Sequence, residues 1–541
     1  MPEFVFSGDE AVARGAIDAG VSGAFAYPGT PSTEIMEYLQ DNLDGYKAAL
    51  AEGDKPYVVA QWCSNEKTAY ESALGVSFAG RRAMVSMKHV GLNVAADPFT
   101  NSALVGIKGG LVVAVADDPG MHSSQDEQDS RVLADFARIP CFEPSDQQEA
   151  YDMARAAFDY SEEHGVPVML RVTTRLAHAR ASVATNAARS PNALEKCGDP
   201  SAWILMPAMA RERWAALLGK APRFRADAEG AASLELRDSG LGVITCGLGL
   251  RYYLENEDDW AAAHSGARPS HLHIGRYPMG GEKIRRLAAH VEKILVIEEG
   301  YPYIEREMTG VFPPPLPVLG RLSGALPEAG ELSADSVRAA LGLPPKASAA
   351  KAGIPIPQRP PQFCQGCPHA DSIAALKEAL SGEADFYVAS DIGCYTLSAL
   401  PPYSAVESCV DMGASVGMAR GASCVGQKRA IGVIGDSTFY HSGMTNLLDA
   451  VSHETRLMVL ILDNSTTGMT GAQPTISPSS GMADLIAGLG VEREHIRVLE
   501  AHRKNHEANV AAIREELGYD GVTVIIMRRE CLEHLKKMRQ A

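Results

Sequence analysis

The chain has 541 residues, 46% of them hydrophobic and 22% charged, with a formal net charge of −17. Those proportions suit a globular protein of several domains. The acidic balance argues against general nucleic-acid binding, which needs Lys and Arg to neutralise phosphates, and Lys536-Lys537 reads as a solvated helix face. Residues 1–10 carry no basic, then apolar, leader pattern. The apolar run 457–462 is strand-length, and the ten cysteines read as buried thiols, so a cytoplasmic protein without membrane or nucleic-acid partners is expected.

Along the chain, short β-rich runs alternate with helical patterns, which predicts parallel α/β sheets. Strands are expected at 23–27, 58–61, 82–87, 110–116 and 168–172, with a turn at 28–32 and a helix at 33–39, giving one doubly wound domain over residues 1–190. A polar stretch at 185–201 reads as a connection. The segment 200–345 holds predicted strands at 240–246 and 293–298. Residues 312–362 are rich in Pro, Ala and Gly, and 346–361 reads as a linker, because proline fixes φ and lacks a donor. The last segment, 362–541, repeats the α/β pattern with strands at 386–390, 430–434, 457–462 and 522–527, a helix at 443–452 and a closing helix at 530–538.

The chemistry concentrates in this last segment. The strand at 430–434 runs into Gly435-Asp436-Ser437, and the strand at 457–462 into Asp463-Asn464-Ser465-Thr466. Asp436 and Asn464 are thus expected at the carboxyl ends of neighbouring parallel strands, where open α/β sheets bind ligands. A carboxylate and an amide oxygen there suit Mg²⁺, which bridges to phosphates, and Gly435 would let the backbone approach a diphosphate. An ordinary βαβ unit with a turn Asp and a turn Asn explains the same residues. Asp391-Ile392-Gly393-Cys394 follows another strand, and Asp411-Met412-Gly413 opens a small-residue helix that would admit a flat cofactor, or simply pack closely on the sheet.

Together with Tyr27-Pro28-Gly29-Thr30-Pro31-Ser32, Asn65-Glu66-Lys67, Lys88-His89-Val90-Gly91-Leu92-Asn93, Asp117-Asp118-Pro119-Gly120 running into His122-Ser123-Ser124-Gln125, and Cys364-Gln365-Gly366-Cys367-Pro368-His369, these motifs give a chain that resembles the large subunit of indolepyruvate:ferredoxin oxidoreductase. That family lies within the 2-oxoacid:ferredoxin oxidoreductase superfamily. The resemblance implies two thiamine-diphosphate-binding domains, pyrimidine-binding (1–190) and diphosphate-binding (362–541), with a transketolase C-terminal-like domain between them and the cofactor between the first and last. It implies Glu66 on N1′ of the aminopyrimidine, where a carboxyl favours the imino tautomer that deprotonates C2; a lone Glu on a surface helix is the plain alternative. Thr30 would contact cofactor or substrate, or else cap a helix. His89 and His122 would orient the substrate carboxylate or the departing CO₂, or else serve structural roles. Cys367, His369, Asp391, Gly393, Cys394, Gly413, Gly435, Asp436, Ser437, Asn464 and Thr466 would line the cofactor, with Mg²⁺ on Asp436, Asn464 and Thr466.

The implied reaction is oxidative decarboxylation of an arylpyruvate with coenzyme A as co-substrate, within a hetero-oligomer of a homodimer of this chain and a small β subunit. The family's large subunit ends in a ferredoxin-like domain with two C-x₂-C-x₂-C-x₃-C-P sets for [4Fe–4S] clusters. Here Cys531 is the only cysteine after Cys424, and Cys394, Cys409 and Cys424 stand alone in sequence, so neither a metal site at Cys364-Cys367 nor an iron–sulfur cluster in this chain is expected. Electrons would then leave through the partner, or the enzyme would be a non-oxidative decarboxylase or carboligase. A non-catalytic homologue is the remaining reading.

Overall fold

The computed structural model describes residues 2–50, 52–53, 55–195, 198–311, 314–346, 362–476 and 481–540. The chain divides into two compact units, Met1–Lys351 and Ala352–Ala541. The expected linker lies almost wholly outside the described residues.

The first unit is built on a seven-stranded sheet in the order Arg276–Tyr277, Cys141–Phe142, Val168–Thr173, Leu111–Asp117, Ala83–Lys88, Gly23–Ala26 and Val59–Trp62. Six of its strands run parallel, and Arg276–Tyr277 joins antiparallel. Alternate residues enter different cores. Val85, Met87, Val113 and Val115 pack with Ala69, Tyr70, Ala73 and Phe99, whereas Met84, Val112 and Ala114 pack with Ala11, Val12, Ala150 and Ala154. A strand covered on both faces has no polar side, which is why these runs read as continuously apolar.

Two features run against the sequence expectation. Arg276–Tyr277 comes from the second segment, so the first sheet is not completed within 1–190. Glu3–Ser7 pairs antiparallel with Arg180–Ala184, a strand pair the period-two signal was too short to announce. A second sheet in this unit runs Val318–Leu319, Lys293–Ile297, Leu241–Cys246, Ser270–Ile274 and Ser233–Glu235. The helix Pro207–Ala231 continues through Pro222.

The second unit holds a six-stranded, wholly parallel sheet in the order Ser408–Cys409, Tyr387–Ser390, Ala430–Gly435, Leu457–Asp463, Val522–Arg528 and Ile496–Glu500. Leu460, Leu462, Ile525 and Met527 face one core, and Val459, Ile461, Val524 and Ile526 the other. The predicted helix at 443–452 begins at Met444, after a π-turn over Phe439–Gly443. The closing helix is Leu532–Gln540, which leaves Glu530 and Cys531 in the preceding loop. No helix among the described residues is long and apolar enough to cross a membrane.

Candidate active site

In the second unit the carboxyl ends of three adjacent strands carry Asp391, Asp436 and Asn464. The register Gly435↔Leu462 sets Asp436 beside the Asp463-Asn464 turn. Asp436 is 2% exposed and its Oδ2 has no hydrogen-bond partner. Burial, and then Asp463, push its pKa up to about 8, although the Ser437 and Ser465 amides donate to it. A buried carboxylate oxygen without a donor is costly, and a bound cation removes that cost. Asp463 itself pairs with Arg528 Nε at 2.7 Å.

The Asn464 side-chain oxygen accepts from the Thr466 amide at 3.3 Å, and Ser465 takes a left-handed φ of 61° to close that turn. The Thr466 hydroxyl donates to the Gln473 carbonyl at 2.8 Å, pinning the short Thr466–Thr467/Gln473–Pro474 hairpin. The Ser437 and Thr467 hydroxyls bond at 3.0 Å.

Asp391 is a bracket. Its carboxylate accepts from the Tyr395 hydroxyl and from Ser415 Oγ at 2.8 Å, and burial still pushes its pKa up to about 7. Tyr395 explains two of the expected site glycines. A Cβ on Gly435 would lie 2.8 Å from its ring, and one on Gly393 would enter the same ring. These glycines make room for a side chain of the protein itself. Gly413, at φ 87°, precedes the helix Ala414–Cys424, and a Cβ there would strike Ser442 Oγ.

His369 sits in the first turn of the helix Pro368–Ala379, 4% exposed, with neither ring nitrogen bonded. Burial lowers its pKa to about 4. A neutral imidazole can donate once and accept once, so it presents an unsatisfied pair to a ligand.

Cys394 and Cys531, isolated in sequence, lie near the Cys364–Cys367 loop, where Arg529 donates to the Gly366 carbonyl and a Cβ on Gly366 would lie 3.4 Å from Leu532 Cδ1. A Cβ on Gly468 would lie 3.5 Å from Cys394 Sγ and 3.9 Å from Cys531 Sγ, so the two sulfurs are no farther apart than those lengths together. Burial raises Cys394 to about 12, and Cys367, Cys531 and Cys364 are all near enough to raise it further. Burial raises Cys367 too; the His369 and Ala370 amides oppose that rise, and Cys364 and Cys531 add to it. The Cys531 amide donates to the Asn464 carbonyl at 3.1 Å, tying this cluster to the Asp436 edge.

In the first unit the equivalent sheet edge carries the other expected residues. Glu66 opens the helix Glu66–Phe78 and is 5% exposed, which excludes the surface-helix alternative. Asn65 caps that helix, accepting from the Thr68 amide at 2.8 Å. Gly91 holds the space for the carboxylate, since a Cβ there would lie 2.6 Å from Glu66 Oε1. The Thr30 carbonyl accepts from Ser123 Oγ at 3.0 Å. Thr30 is not the helix cap; the helix Thr33–Asp41 follows Ser32, and Thr33 Oγ1 accepts from the Gly29 amide at 3.0 Å.

His89 is buried with both ring nitrogens unbonded, its Nε2 3.6 Å from Asp126. His122 differs: its side chain is 54% exposed and faces Glu331 at 3.6 Å. Sequence reasoning singled out neither Gly91 nor Lys88, although both lie inside the quoted 88–93 motif, and it missed Tyr395 and Ser415, whose role exists only once Asp391 is folded beneath them.

Residues 14–209 match the family model "Pyruvate flavodoxin/ferredoxin oxidoreductase, thiamine diP-bdg", and residues 391–541 match "Thiamine pyrophosphate enzyme, C-terminal TPP binding domain". The chain is 37% identical to indolepyruvate oxidoreductase subunit IorA of Archaeoglobus fulgidus over 97% of its length and 86% of the relative's. It is 36% identical to the subunit of that name from Methanothermobacter thermautotrophicus, with the same coverage. This chain belongs to the IorA family. It is a subunit of a thiamine-diphosphate-dependent 2-oxoacid oxidoreductase. The 2-oxoglutarate synthase subunit KorA of Methanothermobacter marburgensis is 30% identical over 192 residues, 34% of this chain and 47% of its own.

Proposed function

We propose that this chain oxidises an arylpyruvate, such as indolepyruvate or phenylpyruvate, to CO₂ and an acyl-CoA, passing two electrons to an acceptor. Residues 1–190 would serve as the pyrimidine-binding domain, 200–345 as the transketolase C-terminal-like domain and 362–541 as the diphosphate-binding domain. The observation that carries the reading is the buried Asp436 carboxylate oxygen with no partner beside Asn464, a donor set that fits Mg²⁺ on a diphosphate. Bound thiamine diphosphate would supply the nucleophilic carbon and the electron sink needed to break the C1–C2 bond.

The chain's own groups would do the rest. Asp436, Asn464 and the Thr466 segment would hold Mg²⁺. His369, neutral and unbonded, would donate to the diphosphate, and Cys367, Asp391, Gly393, Cys394, Gly413, Gly435 and Ser437 would shape the wall. In the first unit, Glu66 would share a proton with the aminopyrimidine N1′ in the space Gly91 leaves open. Thr30 and His89 would face the substrate; His122, turned to solvent and Glu331, would act at the rim.

Cys364, Cys367, Cys394 and Cys531 support a second possibility beside the expected absence of a cluster. Four thiols from three loops would suit one [4Fe–4S] centre, which would supply a one-electron acceptor next to the Asp436 edge. A small β subunit completes the proposed assembly around a homodimer of this chain, in the cytoplasm.

The test is anaerobic turnover by the chain co-purified with its partner, with thiamine diphosphate, Mg²⁺, phenylpyruvate and a viologen dye. Dye reduction that depends on coenzyme A is the expected outcome. Aldehyde accumulating without dye reduction would replace this reading with a non-oxidative decarboxylase.

A further inference from the structure

Among the described residues, the seven-stranded sheet presents at its carboxyl edge a cation, Lys88, that no carboxylate holds. Lys88 ends the strand Ala83–Lys88 and is 8% exposed. Its stem runs along the Gly29 turn, where a Cβ would lie 3.1 Å from Lys88 Cδ. Its ammonium donates to the Ser123 carbonyl at 3.0 Å and forms no ion pair among the described residues. Two of its three N–H donors are therefore uncommitted.

The other cations near this edge are engaged. Lys67 pairs with Glu71, Arg175 with Glu331, and Arg171 with Asp117. The nearest acids are also occupied or screened. Asp118 Oδ2 accepts from the Ser123 amide at 2.8 Å and Ser124 Oγ at 2.6 Å, and its Oδ1 from Thr174 Oγ1 at 2.7 Å. Asp126 is half exposed beside His89. Glu66 lies on the Gly91 turn. A mostly buried ammonium without an anion is costly, and the Gly29-Thr30 turn and the Ser123 loop converge on this one.

We propose that Lys88 is the cation that receives the carboxylate of the 2-oxo acid. This rests on the 2-oxo acid reading above and names the group that would bind the substrate's charge, a part His122 is turned away from. Lys88 exchanges no proton and forms no bond; it would hold the carboxylate beside Thr30 and His89 until CO₂ departs.

Burial lowers the pKa of Lys88 to about 8, against the pull of Asp118, Asp126 and Glu66. In the enzyme without substrate the ammonium is charged below that value and neutral above it, so kcat/KM for the 2-oxo acid falls as pH rises through about 8. An arginine stays charged throughout and removes that fall.

The experiment uses the chain with its partner subunit, thiamine diphosphate and Mg²⁺, and measures phenylpyruvate binding by calorimetry and turnover by dye reduction. Lys88→Met should weaken phenylpyruvate, in Kd and KM, by roughly 10–100-fold, the loss of a charge-assisted hydrogen bond. Its thiamine-diphosphate content should stay unchanged. Lys88→Arg should restore most of the affinity and lose the fall above pH 8. Unchanged KM in Lys88→Met, or a wild-type pH profile in Lys88→Arg, overturns the assignment, and the second variant decides if the first fails to fold. A wild-type enzyme that binds no 2-oxo acid overturns the substrate reading itself and this assignment with it.

Discussion

Asp391 shows how a single residue can be fixed by its neighbours and still carry a cost. Three donors, Tyr395, Ser415 and the Gly413 amide, serve its carboxylate, yet burial keeps its pKa up near 7, against about 4 for a solvated carboxyl. Between those two values the folded chain binds more proton than the unfolded one. Stability therefore falls as pH rises from about 4 to about 7, and this contribution is flat above. Asp391→Asn removes the titration while keeping an acceptor. Melting of the cofactor-free variant at pH 5 and pH 7.5 should show a smaller drop in Tm between the two than the wild type does; an equal drop would mean that Asp391 titrates as it would in water.

At the scale of elements, the site is assembled from strand ends. Four parallel strands deliver Asp391, Asp436, Asn464 and the Arg528–Cys531 loop to one edge of the second sheet, because parallel strands all point their carboxyl ends the same way. Gly393 and Gly435 end or follow two of these strands and leave room for the Tyr395 ring, which in turn holds Asp391. The cysteines arrive by the same logic. Cys394 follows the first of these strands, Cys531 the last, and the Cys364–Cys367 loop precedes the helix Pro368–Ala379. If they hold one [4Fe–4S] centre, anaerobically reconstituted chain should contain about four iron atoms. Cys531→Ser should lose most of that iron and the visible absorption that accompanies it. Full iron retention in this variant would remove Cys531 from the donor set.

At the scale of the whole molecule, the first unit is joined across its two sheets by buried charge. Arg171 reaches Asp117 at 2.6 Å, Glu143, and the Glu299 carbonyl at 3.1 Å. Arg131 reaches Asp129 at 2.5 Å and Glu298 at 3.0 Å, and stands 3.2 Å from the Tyr277 hydroxyl. Asp117, Asp129, Glu143, Arg131 and Arg171 come from the first sheet's segment, and Tyr277, Glu298 and Glu299 from the second. Burial opposes the charge on Asp129, but Arg131 and Arg171 together bring its pKa down to about 2. Removing one cation leaves buried carboxylates unpaired, so Arg171→Met should destabilise the chain by about 3–5 kcal/mol. Urea unfolding at neutral pH would measure it, and a change below 1 kcal/mol would show that the acids simply take up protons instead.

The α/β class, most strand positions and the Asp436/Asn464 pair were legible in the sequence. Each is written in a local pattern: an apolar run for a doubly covered strand, then a polar turn at its carboxyl end. Glu66 was legible only through its motif, since nothing local distinguishes a buried helix-start glutamate from an exposed one. What the tertiary structure alone decided are the facts that depend on residues far apart in the chain. Arg276–Tyr277 completes a sheet begun more than a hundred residues earlier, Cys394 and Cys531 come near the Cys364–Cys367 loop, and Lys88 is left as a buried ammonium without an ion pair among the described residues. Periodicity and turn chemistry act over a few residues and so can be read from sequence; proximity and desolvation arise only when separate strand ends are brought to one edge.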